Sequence, residues 1–243
     1  MAIVVAIDGP SGSGKSSVSR GVARALGLRY LDTGAQYRAM TWWILQNGVD
    51  LDDPAAIAIA AAKPLIVSGT DPDAPGITVD GTDVAEAIRG GEVTAAVSKV
   101  AAVQAVRDRL IALQRQLITR AGEQDGGIVA EGRDIAAVVC PSAETKIYLT
   151  ASPAVRAARR AAEQSGAGAG AGAAGADGAG GAGGSAEAVS VAQTEADLAR
   201  RDAEDAKTTR PLEAAPGAVV VDATDLGLEQ VIAKVAGLVG AVR

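Results

Sequence analysis

A run of glycines and serines near the start of the chain has the spacing of a phosphate-binding loop. It extends from Gly9 to Ser16 and fits the pattern G-x-x-x-x-G-K-[ST]. Glycines allow positive φ, so that successive backbone N–H groups can point at the phosphates of a nucleotide. In this pattern Lys15 reaches the β- and γ-phosphates and the hydroxyl of Ser16 binds Mg²⁺. The loop therefore predicts an ATP-type triphosphate site made of Gly9, Pro10, Ser11, Gly12, Ser13, Gly14, Lys15, Ser16 and Ser17.

Arginines are the second group of residues that point to chemistry. Transfer of a phosphoryl group moves negative charge between oxygens, and it needs positioned cations. Arg133 follows an apolar segment that ends at Glu131, and Asp134 is its neighbour. Open α/β sheets bind ligands at the carboxyl ends of their strands, which makes Arg133 the leading single candidate. Other basic residues follow or flank predicted helices: Arg38, Arg89, Arg107, Arg200, Arg201, Lys207 and Arg210.

The composition excludes several kinds of site. The 243 residues include no histidine and one cysteine, Cys140, which excludes histidine-based triads, His/Cys zinc sites and an internal disulfide. A net charge of −6 argues against a nucleic acid polymer as a partner, because such a partner needs a broad basic surface. The apolar start is too short for a signal or membrane segment, so we expect no membrane partner and a cytoplasmic location.

Apolar strands and amphipathic helices alternate along the chain, which predicts an α/β fold with a parallel sheet between layers of helices. The predicted strands are Ile3–Asp8, Arg29–Asp32, Gly127–Glu131, Thr145–Thr150 and Ala218–Asp222. The predicted helices are Lys15–Leu26, Gly34–Gln46, Val100–Arg120, Pro153–Gln164, Thr194–Lys207 and Leu228–Val239. A further helix is expected to begin at Pro54, with the carboxylate of Asp53 as its cap.

Two segments interrupt this alternation. The segment from Pro64 to about Ala87 contains short apolar runs separated by proline and glycine turns, which predicts a small antiparallel hairpin or meander. Between Gly166 and Gly184 every residue except Asp177 is Gly or Ala. Such a stretch has little to bury and a high backbone entropy, so the sequence predicts a flexible linker there.

Several motifs in a fixed order resemble those of the bacterial cytidylate kinases. They are Ile7–Lys15, Leu31–Arg38, Val97–Ala102 with Val106–Arg107, Glu131–Ile135 and, more weakly, Arg201–Asp205. Members of this family transfer the γ-phosphoryl group of ATP to CMP or dCMP. The resemblance implies a P-loop NTPase-type parallel sheet flanked by helices, with a small α+β insert that binds the nucleoside monophosphate, and a lid. It covers nearly the whole chain apart from the Gly/Ala stretch.

The resemblance also implies a division of the chain and roles for individual residues. A single kinase domain would span 1–243, with a core at 1–62, 101–155 and 212–243, an insert at 63–100 and a lid at 156–211. The implied CMP-binding residues are Thr33, Arg38 and Arg133 at the phosphate, Ser98, Arg107 and Asp134 at the base, and Asp205 at the sugar. The implied catalytic residues are Lys15, Arg133 and Arg201. Mg²⁺ would be bound directly by Ser16, with Glu131 holding its water shell, and a monomer is expected.

Two features depart from the family pattern and leave questions open. Thr208 stands where the family usually has an arginine, and the sequence leaves open whether Lys207 or Arg210 replaces it. The Gly/Ala stretch lies within the implied lid. Two alternatives therefore remain: a kinase of another nucleoside monophosphate such as UMP or AMP, and a nucleotide-binding module that the stretch has weakened. A GTPase-type switch is disfavoured because the chain contains no N-K-x-D motif. The preference between CMP and dCMP also stays open.

Overall fold

The computed structural model describes residues 2–164, 191–207, 209 and 213–241. The Gly/Ala stretch at 166–184, Thr208 and Arg210 lie outside these residues, so the expectations for them stay predictions. Within the described residues the strands are β1 (Ile3–Asp8), β2 (Arg29–Asp32), β3 (Ile66–Ser68), β4 (Ile77–Val79), β5 (Thr82–Asp83), β6 (Gly127–Gly132), β7 (Thr145–Thr150) and β8 (Val219–Asp222). The α-helices are α1 (Lys15–Leu26), α2 (Thr33–Gln46), α3 (Pro54–Ala60), α4 (Gly91–Ala101), α5 (Gln104–Asp125), α6 (Pro153–Gln164), α7 (Val191–Asp205) and α8 (Leu228–Gly240).

A five-stranded parallel sheet in the order β2-β6-β1-β7-β8 lies at the centre of the molecule. Its middle strand β1 is apolar from Ile3 to Ile7, and Val5, Ala6 and Ile7 are fully buried, as expected for a strand covered on both faces. On one face β1, β7 and β8 share an apolar core with α1 and α8. On the other face β6 and Leu31 of β2 share a core with α5. The α/β class and the parallel sheet predicted from the sequence are confirmed.

A second, three-stranded antiparallel sheet in the order β3-β4-β5 packs beside α2, α3, α4 and the beginning of α5. The prediction of an antiparallel meander between Pro64 and Ala87 is thus confirmed. The predicted start of α3 is also confirmed, because the Asp53 carboxylate accepts hydrogen bonds from the amides of Ala55 at 2.9 Å and Ala56 at 3.0 Å. The division into core, insert and lid stays a prediction.

The prediction of one continuous helix over Val100–Arg120 is wrong. The chain forms two helices, α4 and α5, and Val103 between them has extended backbone with φ −76° and ψ 120°. No glycine or proline marks this break, and the apolar spacing runs across it. The change of direction lets α4 pack against α2 while α5 covers β6. Tertiary packing therefore overrides a local pattern that favours a single helix. The other predicted helix and strand bounds either agree with the structure or differ from it by at most three residues at an end.

Candidate active site

The phosphate-binding loop Gly9–Ser16 connects β1 to α1, as its sequence predicts. Two of its glycines are required by close contacts as well as by positive φ. A Cβ on Gly9 (φ 153°) would lie 2.0 Å from the carbonyl oxygen of Leu149, and one on Gly12 (φ 75°) would lie 2.7 Å from that of Arg156. The loop thus packs directly against β7 and α6. Side chains at either position would push the loop away from both elements.

Lys15 lies folded into this loop, where its Nζ donates a hydrogen bond to the carbonyl oxygen of Pro10 at 2.7 Å. Burial, with the charge of Arg133 acting in the same direction, lowers the pKa of Lys15 to about 8. Glu131 and Asp8 oppose this shift. A buried ammonium with a nearby guanidinium is stabilised by any anion that enters the loop, and phosphate is the anion that such loops take.

Glu131 lies buried at the end of β6, beside the start of α1. Its Oε1 accepts a hydrogen bond from the hydroxyl of Tyr30, and Ser16 also hydrogen-bonds to its carboxylate. Burial raises the pKa of Glu131 to about 7, and the charge of Asp32 adds to this effect. The site therefore places a hydroxyl and carboxylate oxygens together at the phosphate-binding loop. Oxygen ligands of this kind are those that Mg²⁺ prefers.

Asp8, at the end of β1, has both carboxylate oxygens hydrogen-bonded to backbone amides. Its two carboxylate oxygens accept hydrogen bonds from the amides of Ile135 and Ala136, each at 2.8 Å. Burial raises the pKa of Asp8 although these two hydrogen bonds oppose the shift. The Asp8 carboxylate holds the turn after Arg133 against the sheet. This contact fixes the backbone position of Arg133 and so the point from which its side chain extends.

An arginine-rich cavity of about 100 Å³ lies beside the loop, between α2, α4, α5, α7 and the turn after β6. We call it the arginine cavity. Six of the residues singled out from the sequence line it: Arg38, Ser98, Arg107, Arg133, Arg201 and Asp205. Tyr37, which sequence reasoning did not select, is also in its wall. Residues from both halves of the chain thus meet in one chamber.

The residues expected to read a base form two polar contacts at this cavity. Arg107 is paired with Asp134 at 2.5 Å, and the two side chains are only 10% and 12% exposed. Burial by itself would lower the pKa of Arg107, but the hydrogen bond and charge of Asp134 raise it. The hydroxyl of Ser98 donates to Oδ1 of Asp205 at 3.1 Å, which joins α4 to α7.

The remaining cations of the cavity lie close to one another. Arg133 reaches Oδ2 of Asp205 at 2.9 Å, while the buried Nε of Arg201 has no hydrogen-bond partner among the described residues. Burial and the charges of other arginines lower the pKa of Arg38 to about 10, and burial and Arg133 lower that of Arg201. An anion in the cavity would relieve this repulsion and supply the missing acceptor.

Thr33 is not in the cavity wall. Its side chain is buried, and its hydroxyl donates a hydrogen bond to the carbonyl oxygen of Glu131 at 2.7 Å. The hydroxyl proton therefore already has an acceptor within the protein. Asp134 is also absent from the cavity wall, but it is paired with Arg107, which lines the wall. Lys207 is exposed at the end of α7.

Sequence reasoning missed three residues that touch the phosphate-binding loop or its neighbours. Arg156 donates to the carbonyl oxygen of Ser11 at 3.0 Å, and Arg159 to that of Ser13 at 3.2 Å. Asp202 of α7 is paired with Arg156 at 2.6 Å. The signal for the arginines was present, because they stand three residues apart at the start of a helix that follows a parallel strand. Asp202 lies within the weak motif Arg201–Asp205, but sequence reasoning assigned it no role.

The family model and three relatives that match this chain are described as cytidylate kinases. A family model described as cytidylate kinase matches residues 5–174 and 181–240. A cytidylate kinase from Streptomyces avermitilis is 54% identical over 239 residues, with 98% of this chain and 93% of the relative covered. Cytidylate kinases from Streptomyces griseus and Rhodococcus opacus are 52% and 47% identical, with 98% and 96% of this chain and 92% of each relative covered. In the described part of the chain, no helix is long and apolar enough to cross a membrane.

Proposed function

The chain belongs to the cytidylate kinase family, and from this membership we propose that it transfers the γ-phosphoryl group of ATP to CMP or dCMP, giving ADP and (d)CDP. The observation that carries the proposal is the arginine cavity, where Ser98 and Arg107, the partner of Asp134, share a wall with Arg133. Arg133 in turn donates to the carbonyl oxygen of Gly9 in the phosphate-binding loop at 3.4 Å. The loop would hold the donor and the cavity the acceptor. Each half alone fits many functions, whereas the two together fit a kinase that uses two nucleotides.

The donor half comprises Gly9 to Ser17. Its amides would receive the phosphates of ATP, with Lys15 at the β- and γ-phosphates. Ser16 and Glu131 would hold Mg²⁺, directly and through water respectively, and their oxygens fit such an ion. When bound, Mg²⁺ would supply positive charge that neutralises the phosphates. The Tyr30 hydroxyl would keep the Glu131 carboxylate oriented toward Ser16.

The acceptor half would read cytosine by its hydrogen-bonding pattern. Cytosine offers acceptors at O2 and N3 and a donor at N4, and Arg107, Asp134 and Ser98 supply complementary groups. Uracil has the opposite pattern at N3 and position 4, so it would leave an arginine or a carboxylate unpaired in a closed site. Asp205 would meet the sugar hydroxyls.

The phosphate of CMP would lie among Arg38, Arg133 and Arg201, with Thr33 beneath it. Because this phosphate is already an anion, no general base is needed. Catalysis would rest on alignment of the two nucleotides and on the positive charge of Lys15, Arg133 and Arg201, which meets the charge that spreads over the transferring group. The absence of histidine from the sequence is compatible with this mechanism.

Initial rates of ADP formation with CMP, dCMP, UMP and AMP as acceptors test the proposal. We expect kcat/KM for CMP or dCMP to exceed the values for UMP and AMP by at least about two orders of magnitude, which corresponds to about 3 kcal/mol for a buried polar group left without its partner. Higher activity with UMP or AMP would instead identify a kinase of another nucleoside monophosphate. Nucleotide binding without turnover would identify a weakened binding module.

A further inference from the structure

Asp202 is a buried carboxylate that the proposed mechanism does not use. It lies on α7 and is 3% exposed. Its Oδ2 accepts from NH1 of Arg156 at 2.6 Å, and its Oδ1 lies 3.4 Å from NH1 of Arg133 and 3.5 Å from the amide nitrogen of Ser11. Ser11 and Asp202 are 191 residues apart in sequence. One carboxylate thus connects α7, α6, the turn after β6 and the phosphate-binding loop.

The donors around Asp202 are those that a phosphate oxygen receives in such a site. They are two guanidinium groups and one backbone amide of the phosphate-binding loop. Arg156 is itself 8% exposed and donates as well to the carbonyl oxygen of Ser11 at 3.0 Å. Arg133 donates to the carbonyl oxygen of Gly9 at 3.4 Å. The Asp202 carboxylate is therefore an anion that two guanidinium groups hold beside the phosphate-binding loop.

The charge balance of the site explains why an anion is held there. Lys15, Arg133 and Arg156 converge on the loop, and cations this close repel one another unless negative charge lies between them. Asp202 supplies negative charge to Arg133 and Arg156, and Glu131 and Asp8 also contribute at Lys15. The phosphates of ATP bring several negative charges to the same donors, so a carboxylate and a phosphate would compete for them.

We propose that Asp202 is a positioning residue whose carboxylate occupies an anion position at the phosphate-binding loop, holds Arg133 and Arg156 there, and is replaced by the terminal phosphate of ATP. This inference rests on the proposed function for the identity of the nucleotide. The exchange of one anion for another takes place at the phosphate-binding loop and does not depend on which nucleotide brings the phosphate. Removal of the carboxylate charge should therefore favour the incoming phosphate.

Binding of inorganic tripolyphosphate, measured by isothermal titration calorimetry, tests the exchange directly. We expect Asp202→Asn to bind tripolyphosphate about fivefold more tightly than the wild type, because a repulsive charge is removed from the site. In the kinase assay the KM for ATP should fall, and kcat should fall with it because the arginines are less well placed. Equal or weaker tripolyphosphate binding would overturn the proposal, and it is the result that a purely structural role predicts.

Asp197→Asn is the matched control. Asp197 lies on the same helix, is exposed, and pairs only with Arg200 at 3.3 Å among the contacts of the described residues. Its substitution removes the same charge from α7 at a distance from the loop, so tripolyphosphate affinity and the rate should stay as in the wild type. An equal gain in affinity in this control would assign the effect to net charge and overturn the proposal.

A second pair of variants covers the case in which Asp202→Asn fails to fold because Arg156 is left buried and unpaired. In that case Arg156→Gln is compared with the double variant Arg156→Gln/Asp202→Asn, which contains no unpaired buried guanidinium at position 156. The double variant should bind tripolyphosphate more tightly than the single one, and equal binding would refute the exchange. No CMP is present in these titrations, so a wild type that fails to phosphorylate CMP would disprove the proposed function and leave this inference standing.

Discussion

Arg107 and Asp134 form the contact to which we assign the acceptor specificity in the proposed function. The two groups are paired and nearly buried before any base enters, so each already has its orientation. A base that matches them can exchange one hydrogen bond for another at little cost, whereas a mismatched base leaves a buried charge without a partner. We therefore expect specificity at this site to come from a penalty against wrong bases more than from a gain for the right one.

Loss of Arg107 should remove the preference for cytosine. We expect Arg107→Ala to lower the ratio of kcat/KM for CMP over UMP by about tenfold to hundredfold, the effect of one buried polar group losing its partner. Arg120→Ala is the control, since Arg120 lies on the same helix and donates to Gln124 on an exposed surface. An unchanged ratio in Arg107→Ala would reject the assignment of this arginine to the base.

The depressed pKa of Lys15 gives a prediction for pH. Burial lowers this pKa to about 8 in the free protein, and bound phosphates would raise it, so the bound state holds the proton to higher pH. Affinity for tripolyphosphate should therefore fall as pH rises through about 8, by about tenfold between pH 7 and pH 9. Titration calorimetry at constant ionic strength measures this. In Lys15→Gln the slope should become much shallower, and what remains is expected from Glu131, whose pKa is about 7. A slope above pH 8 as steep as that of the wild type would place the titration on another group.

At the scale of elements, adjacent parallel strands bring the site together. β2, β6 and β1 are neighbours in the sheet, and their carboxyl ends carry Asp32, the Glu131–Arg133 turn and the phosphate-binding loop. Register places Asp32 opposite Glu131, and Asp8 opposite Gly132. The sheet thus converts three separate segments of sequence into one edge lined with charge.

Contact between the phosphate-binding loop and α6 depends on the lack of a side chain at Gly12. We expect Gly12→Ala to raise the KM for ATP by about tenfold or more, because a Cβ 2.7 Å from the carbonyl oxygen of Arg156 must displace the loop. Gly27→Ala is the matched control. Gly27 also has positive φ (65°), but a Cβ there meets nothing within 4 Å.

Gly27→Ala should lower the free energy of unfolding by about 1 kcal/mol, the cost of a left-handed residue with a side chain, and Gly12→Ala should lower it by more because of the added backbone contact. Only Gly12→Ala should change the kinetics. Equal KM values for ATP in the two variants would show that the close contact has no role in placing the loop. Denaturant unfolding and initial rates supply the two measurements.

On the scale of the whole molecule, α6 and α7 bind the later part of the chain to the loop near its start. They pack against each other, and Arg156, Arg159 and Asp202 reach the loop from them. Segment 166–184 lies between these helices in the sequence. Its Gly and Ala residues offer few groups for a specific contact.

Deletion of residues 166–184 should therefore leave the rate nearly unchanged. Changing the length of a loop costs a fraction of a kcal/mol, so we expect kcat and the KM for ATP to stay within about threefold of the wild type. Steady-state kinetics with CMP and ATP test this. A large gain in kcat after the deletion would support the reading of the full chain as a weakened module, and a large loss would assign the stretch a direct role.

Local signals in the sequence determined the strand-loop-helix of the phosphate site, the parallel sheet and the cap at Asp53. These features depend on glycines, alternation and short-range hydrogen bonds, which a linear pattern contains. Family motifs extended this to the residues that line the arginine cavity.

Only the tertiary structure decided the break at Val103, the engagement of the Thr33 hydroxyl with Glu131, and the place of Asp202. None of these follows from neighbours in sequence. The helix breaks because α4 and α5 pack on different partners, and Asp202 meets Ser11 and Arg156 because two distant helices dock on one loop. The position of a buried charged side chain depends on the hydrogen-bond donors around it, and those donors come together only when the chain has folded.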